Sequence, residues 1–407
     1  MDFNDTPEEA AFRAEVRAWL EANATPKAVD GTTARYESTN ALLEAARAWQ
    51  RKKAEAGYAA ITWPKEYGGL GGTPMQQVIY NQEESRFDVP RGVYEIGLGM
   101  CIPTLMAYAT PAQCERYVSP ALYGEEIWCQ LFSEPSAGSD VAGLRTRCEQ
   151  VGDEWVVNGQ KVWTSGAHFC DYGILVARSD PAKPKHKGLT FFFLDMKSPG
   201  VEVRPIKQAS GGSGFNEVFF NDVRIPDAQR LGDIGDGWKV ALTTLMHARL
   251  AIGGTSGPDV SELIELTKAI MLEDGPAINN AAVREKIADW YVRSQGLAYT
   301  RYRTLTALSK GQIPGPESSI GKVVAAGQLQ DLSSLAMDLE DMGGIMTEAF
   351  MPLQAQFQQS FLGSAGLRIA GGTDEILRNI IAERVLGMPS DIRVDKDIPF
   401  NELPTGR

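Results

Sequence analysis

The spacing of apolar residues changes twice along this chain, and that change constrains the fold more than any single residue does. In TPEEAAFRAEVRAWLEANA the apolar Phe12, Val16, Trp19 and Leu20 recur at helical spacing. Thr6 before Pro7 and two glutamates supplies a cap, a proline at the first helical position and acids at the positive end of the dipole. ESTNALLEAARAWQRKKAEAG predicts a second helix, ended by Gly57. The prolines and glycine pairs of ITWPKEYGGLGGTP force irregular backbone, and helical character returns in PMQQVIYNQEESRF and ATPAQCERYVSPAL. Short β-rich runs follow: IWCQLFS, EWVVNG, YGILVAR, LTFFFLDM, VEVRPI and EVFFNDVRIP. Asn158-Gly159, between EWVV and QKVW, predicts a hairpin turn. The helical period then resumes in WKVALTTLMHARLAIGG, AAVREKIADWYVRSQGLAYTRYRTLTALSKG, SSIGKVVAAGQLQDLSSLAMDLEDMGG and TDEILRNIIAERVLG.

These runs predict an α+β chain with a helical domain over residues 1–125, an antiparallel β-sandwich or barrel over 126–235 and a helical bundle over 236–390. The tail, 391–407, is expected to be flexible or laid on the surface. A length of 407 residues suits two or three cores rather than one. The 40 lysines and arginines against 52 acids leave a net charge of −12, which excludes a general nucleic-acid binder. No run of about 18 apolar residues predicts a membrane span. The acidic start MDFNDTPEEAAFRAEV lacks the pattern of a signal peptide, so a cytoplasmic location is expected. The five cysteines form no CxxC pair and there are three histidines, which argues against a metal centre and a disulfide framework.

Three segments could carry chemistry. The loop SEPSAGSDVAG (133–143) offers small residues and the hydroxyls of Ser133, Ser136 and Ser139 to a flat or phosphorylated ligand, although a simple turn would explain it as well. NGQKVWTSGAH (158–168) sets Trp163 beside Thr164 and Ser165, which suits stacking on a heteroaromatic ring, or else a core tryptophan. AGGTDEILRNIIAERVLG (370–387) places Gly371, Gly372 and Thr373 before a helix start. That is a favourable place for negative charge, or an ordinary capped helix.

Taken together and in this order, the three motifs resemble the acyl-CoA dehydrogenase family, as do WPKEYGGLGG, FNDVRIP and LGDIGDGWKVALTTLM between and around them. The resemblance runs from TPEEAAFRAEVRAWL to VLGMP. It implies a helical, β, helical architecture, an FAD cofactor, an acyl-CoA substrate and α,β-dehydrogenation of its thioester. It also implies a homodimer or tetramer, or a heteromer, and an electron acceptor such as an electron-transfer flavoprotein. By the family's pattern Gln130, Phe132 and Ser133 would line the isoalloxazine. Gly138 and Ser139 would reach the FAD pyrophosphate, Ser139 also lying near the CoA path. Trp163 would flank the ring, Ser165 would sit near its N5 edge, and Thr373 and Glu375 would contact FAD. The Arg-x-x-Phe-Gly motif, by which a neighbouring subunit of many members holds FAD, is absent from GPAINNAAVREKIADW.

In the family a partly shielded glutamate removes the α proton, a backbone N–H and an FAD hydroxyl hold the thioester carbonyl, and the flavin accepts the hydride. The base position before the Gly-Thr of the last motif is Gly371 here, and the alternative position, on the helix after the β domain, is Ala248, next to Arg249. Neither is a carboxylate. The resemblance therefore assigns Ala248 the base position, Gly371 a backbone N–H to the thioester, and Arg249 a place beside the substrate. His247 is next in sequence, but helix neighbours point about 100° apart. Asp374 and Glu375 sit where the helix dipole would lower their basicity. Ala248 is compatible with an introduced replacement of glutamate, with a non-catalytic subunit whose partner carries the base, or with a relative of different chemistry, including a flavin oxidase or monooxygenase. Fatty-acyl, steroid side-chain and amino-acid-derived thioesters all fit the motifs.

Overall fold

The computed structural model describes residues 5–28, 36–251, 257–310, 315–348 and 351–404, and the side chains of residues 248–251, 308, 309, 318, 352 and 354 fall outside that description. The α-helices are, in chain order, α1 (Pro7–Asn23), α2 (Thr39–Glu55), α3 (Pro74–Glu84), α4 (Ile102–Tyr108), α5 (Pro111–Leu122), α6 (Gly237–Ala251), α7 (Val260–Ala269), α8 (Ala281–Ser309), α9 (Ser318–Glu340), α10 (Gln356–Leu367) and α11 (Asp374–Ile380). The expected cap of α1 is present: the Thr6 hydroxyl accepts from the Glu9 N–H while Glu9 accepts from the Thr6 N–H. Thr73 and Thr110 build the same reciprocal box on α3 and α5, each with proline at the start.

The chain folds into two compact units that interleave along the sequence. One, here the β unit, takes residues 36–72, 89–253 and 391–407. Its sheet has strands β1 (Trp128–Leu131), β2 (Arg147–Val151), β3 (Glu154–Ser165), β4 (Tyr172–Arg178), β5 (Leu189–Asp195), β6 (Val201–Ile206) and β7 (Phe215–Pro226). The order is β1-β4-β2-β3-β7-β6, with β5 also paired to β4. Pairing is largely antiparallel, while β1 enters parallel to β4, Trp128 opposite Tyr172. The sheet curls, because Trp155 of β3 meets Phe192 of β5 at 5.3 Å although those strands are not neighbours. YGILVAR and LTFFFLDM read as continuous apolar runs because both faces of β4 and β5 are covered. Leu175, Ala177, Phe192 and Leu194 fill the inside of the curl. Ile174, Val176, Phe191 and Phe193 join a second core with residues of α4, α5 and α6. The α4–α6 contact is fixed by Thr104 and Thr244 (Oγ1 to Oγ1, 2.9 Å) and by Tyr108 and Thr243 (3.0 Å).

The hairpin expected at Asn158-Gly159 is elsewhere. The chain turns at Gly152 (φ 65°), and β3 runs straight through Asn158-Gly159, where its register with β7 slips. Gly159 is needed for close approach: a Cβ there would lie 2.6 Å from the Thr146 Cα. Asn158 bonds Asp222 in both directions instead, its Nδ2 donating to the carboxylate and its Oδ1 accepting the Asp222 N–H.

The helical unit comprises residues 1–35, 73–88 and 254–390. Here α1 packs on α3, α3 on α8, and α9 contacts α7, α8, α10 and α11. Its core gathers Leu263, Leu266, Ile287, Trp290, Leu332, Ala336 and Phe357. After α11 the backbone widens into a π-helical turn, Ile381–Val385. The tail is laid on the β unit: the Phe400 and Asn401 N–H groups donate to the carbonyls of Lys183 and Pro181.

Candidate functional site

In the β unit the first two motifs lie side by side. The Val162 N–H donates to the Ser133 carbonyl at 2.9 Å, which sets the segment after β1 against the end of β3. Next to it Trp163 occupies a bulge between β3 and β7 at φ 60°, a conformation that bulky residues avoid. The bulge turns its indole outward, 58 % exposed, with the Phe215 ring edge-on at 6.0 Å. Ser133 and Ser165 are half-buried beside it, as is Gln130 on β1. The Phe132 ring is buried against Phe191, so only its backbone is available to a ligand. Gly138 and Ser139 are exposed on the following loop, with nothing within 4 Å of where a Gly138 Cβ would stand. A largely exposed indole, flanking hydroxyls and open backbone form a set that fits a flat heteroaromatic ring with a phosphorylated tail.

A pair not singled out from sequence braces this arrangement. Lys161 is completely buried, and its Nζ donates to the Phe132 carbonyl (3.0 Å) and to Glu134 Oε1 (2.8 Å). Glu134 also accepts the backbone N–H groups of Arg145 (2.6 Å) and Thr146 (2.9 Å). Burial opposes ionisation of Glu134, yet the Lys161 ammonium and these N–H donors hold its carboxyl below the usual range. Burial pulls the Lys161 ammonium down, with Glu134 opposing. Arg178, also buried, spends its guanidinium on the carbonyls of Ala142, Leu144 and Lys185, and burial pushes it down to about 10. The only sequence trace of these contacts is a charged residue inside a β-rich run, and its partner is far away in the chain.

On α6, Ala241 is buried and Leu245 packs against the same core, so the row that leads by helical spacing to position 248 faces inward at that level. The side chains of Ala248 and Arg249 lie outside the described residues. His247 is half-buried, and burial pushes its imidazole below the ordinary value.

In the helical unit, Gly371 (φ 67°) and Gly372 (φ 100°) make the left-handed turn before α11. Lys322 Nζ donates to the Gly372 carbonyl at 2.6 Å. Thr373 caps the helix by accepting from the Ile376 N–H, and the Asp374 N–H donates to the Arg368 carbonyl. Several first-turn donors are thus taken within the protein, and α11 has only seven residues, which weakens the helix-start reading of this motif. Glu375 is exposed; its own backbone N–H and the Thr373 hydroxyl hold its carboxyl low, so it is a poor base. A hollow of about 260 Å³ is lined by Gln330, Arg368, Ile369, Thr373, Asp374 and Glu375, among others. Among the described residues no group of three or more His, Cys, Asp or Glu side chains could hold a metal ion, and no helix is long and apolar enough to cross a membrane.

Three family models match in sequence: the acyl-CoA dehydrogenase N-terminal domain over residues 6–125, the middle domain over 129–223 and the C-terminal domain over 235–386. The chain belongs to the acyl-CoA dehydrogenase family. Members of this family are oxidoreductases and flavoproteins. Acyl-CoA dehydrogenase IpdE1 of Mycolicibacterium smegmatis is 37% identical over 406 residues, covering 94% of this chain and 98% of that protein. Acyl-CoA dehydrogenase FadE34 of Mycobacterium tuberculosis is 37% identical over 361 residues, 87% of this chain but 48% of the relative, so the chain spans about half that protein's length. Among solved structures, a Tcur3481-Tcur3483 steroid ACAD aligns at TM-score 0.79 and 27% identity, covering 96% of this chain and 100% of that one. The ChsE4-ChsE5 complex of Mycobacterium tuberculosis does so at TM-score 0.79 and 26% identity, with the same coverage. These neighbours share the helical, β, helical order and the curled central sheet.

Proposed function

We propose that this chain is an FAD-dependent acyl-CoA dehydrogenase subunit, built for α,β-dehydrogenation of an acyl-CoA thioester. The observation that carries the reading is the outward Trp163 indole in its bulge beside Ser133 and Ser165, an aromatic surface more than half exposed. Gln130, Ser133 and the Phe132 backbone would hold the pyrimidine side of the ring, with Ser165 at its N5 edge. Gly138 and Ser139 would take the pyrophosphate, and Thr373 and Glu375 would complete the FAD contacts. When bound, the flavin supplies the hydride acceptor. Ser139 and Arg249 would bind acyl-CoA, and the Gly371 N–H would polarise its carbonyl, acidifying the α proton. Ala248 leaves that proton without a carboxylate to receive it.

A second reading, a non-catalytic partner subunit of a heteromeric dehydrogenase, is favoured by the pair Ala248 and Gly371. It is supported too by similarity to two structures whose names each join two components. One of them is named a steroid ACAD, which makes steroid side-chain thioesters the first class to try. The test is to load the purified chain with FAD, alone and with co-purifying protein, and titrate an acyl-CoA panel while recording the flavin spectrum. The proposal expects retained FAD and a spectral shift without bleaching. Failure to retain FAD in either form would reject it, and rapid oxygen consumption without acyl-CoA would point to an oxidase or monooxygenase instead. An electron-transfer flavoprotein is the acceptor to assay first.

A further inference from the structure

We propose that Lys161 and Glu134 are positioning residues for the flavin. As a buried neutral ion pair, they would fix Ser133 against the ring and set the charge behind its pyrimidine edge. This rests on the reading that residues 130–133 line the cofactor.

Ser133 is held from three directions. The carbonyl before it, on Phe132, is tied to the Lys161 ammonium. Its own carbonyl accepts the Val162 N–H. The residue after it, Glu134, is anchored by Lys161 and by two backbone N–H groups, and its carbonyl and N–H pair with Ala137 to close the turn. The Ser133 hydroxyl is therefore presented from a backbone with little freedom to move, as a hydrogen-bond donor to a ring requires. The pair that does this has no solvent to screen it: Lys161 is 0% and Glu134 5% exposed. Packing alone does not demand it, since two apolar residues of similar volume could fill the same space without desolvating two charges. A charge left unpaired one or two residues from the ring would act through protein rather than water and would be felt strongly.

Both single variants break the same ion pair, so a merely structural brace predicts the same consequence from each. Charge compensation predicts opposite ones. Glu134→Gln removes the carboxylate that opposes deprotonation of Lys161, so its potential is read at mildly acid pH, where the ammonium that remains favours the more negative, reduced ring and raises the flavin midpoint potential. Lys161→Met leaves the carboxylate and lowers it. The test measures midpoint potentials of the FAD-loaded full-length chain for both, with melting temperatures of the FAD-free proteins. The expected result is potentials displaced in opposite directions, while both melting temperatures fall. If Lys161→Met does not fold, the double variant Lys161→Met/Glu134→Gln replaces it. With neither charge left, its potential should return to that of the parent while Glu134→Gln alone stays raised. Shifts of the same sign, or none, would overturn the inference and leave the flavin reading standing. A parent chain that binds no FAD would overturn both.

Discussion

Glu83 illustrates how a single buried carboxylate ties elements together. It is 3% exposed and accepts from Arg17 (Nε, 2.9 Å; Nη2, 2.9 Å) and Arg13 (3.1 Å), joining α3 to α1 inside the helical unit. The Arg17 hydrogen bonds, opposed by burial and aided by Arg13, hold its carboxyl at about 2. A folded pKa below the unfolded value of about 4.3 means the contribution is complete above that pH and is lost as pH falls toward 2. Glu83→Gln is expected to cost about 1–2 kcal/mol at pH 7, since it removes charged hydrogen bonds to Arg17 and Arg13 while Arg13 keeps Asp5 and the Arg17 side chain stays open to water. It should also flatten the loss of stability on acidification, both read from denaturant melts between pH 7 and 3. An unchanged acid slope would contradict this. Residues such as Thr6 are legible in sequence because a cap acts over three positions. Glu83, Lys161 and the outward turn of Trp163 are not, because their partners or the bulge that turns them depend on distant pairing.

Long elements are readable from period and punctuation: α1, α2, α6, α8 and α9 match their runs, as do the strands other than β2 (Arg147–Val151), which no run covers, and β3, which joins EWVV and QKVW in one strand. The short α4 and α7 lack enough turns to establish a period against their surroundings, and α10, as long as α5, lacks the Thr-Pro start that marks α5. Asn158-Gly159 misleads for a definite reason. The dipeptide also suits a bulge, and only the approach of Thr146 decides which one forms. Gly159→Ala should therefore destabilise the protein by about 2 kcal/mol or more, because the clash is with backbone. Gly152→Ala, in the true turn with open space around it, should cost only about 1 kcal/mol from its positive φ. Urea midpoints for the two variants compare them directly, and equal losses would mean that the close approach at Gly159 carries no weight.

At the scale of the molecule, chain order and spatial order diverge. The amino-terminal α1 and α3 join the late helices, while α2, α4, α5 and α6 stay with the sheet. A sequence cut into consecutive blocks does not reveal this interleaving, since the apolar faces of helices do not name their partners. The tail behaves likewise: its prolines and charges suggest a surface end, yet Phe400 lies 3.7 Å from the buried Arg178 guanidinium and Asp395 pairs with Lys185, which also holds Asp140 of the candidate loop. Phe400→Ala should destabilise the β unit by about 1–2 kcal/mol and speed amide exchange over residues 138–146. Unchanged exchange there would show that the tail does not support the loop. The motifs were legible as a set because they stand together along the chain in the order in which the family models match.

The proposed flavin site has no carboxylate at either base position, Ala248 or Gly371. The direct measurement is anaerobic reduction of FAD-loaded Ala248→Glu by an acyl-CoA panel that includes steroid side-chain thioesters. At least one thioester is expected to bleach the flavin band, where the parent chain only shifts. A variant that holds FAD and stays oxidised against the whole panel, with and without a partner subunit, would contradict it.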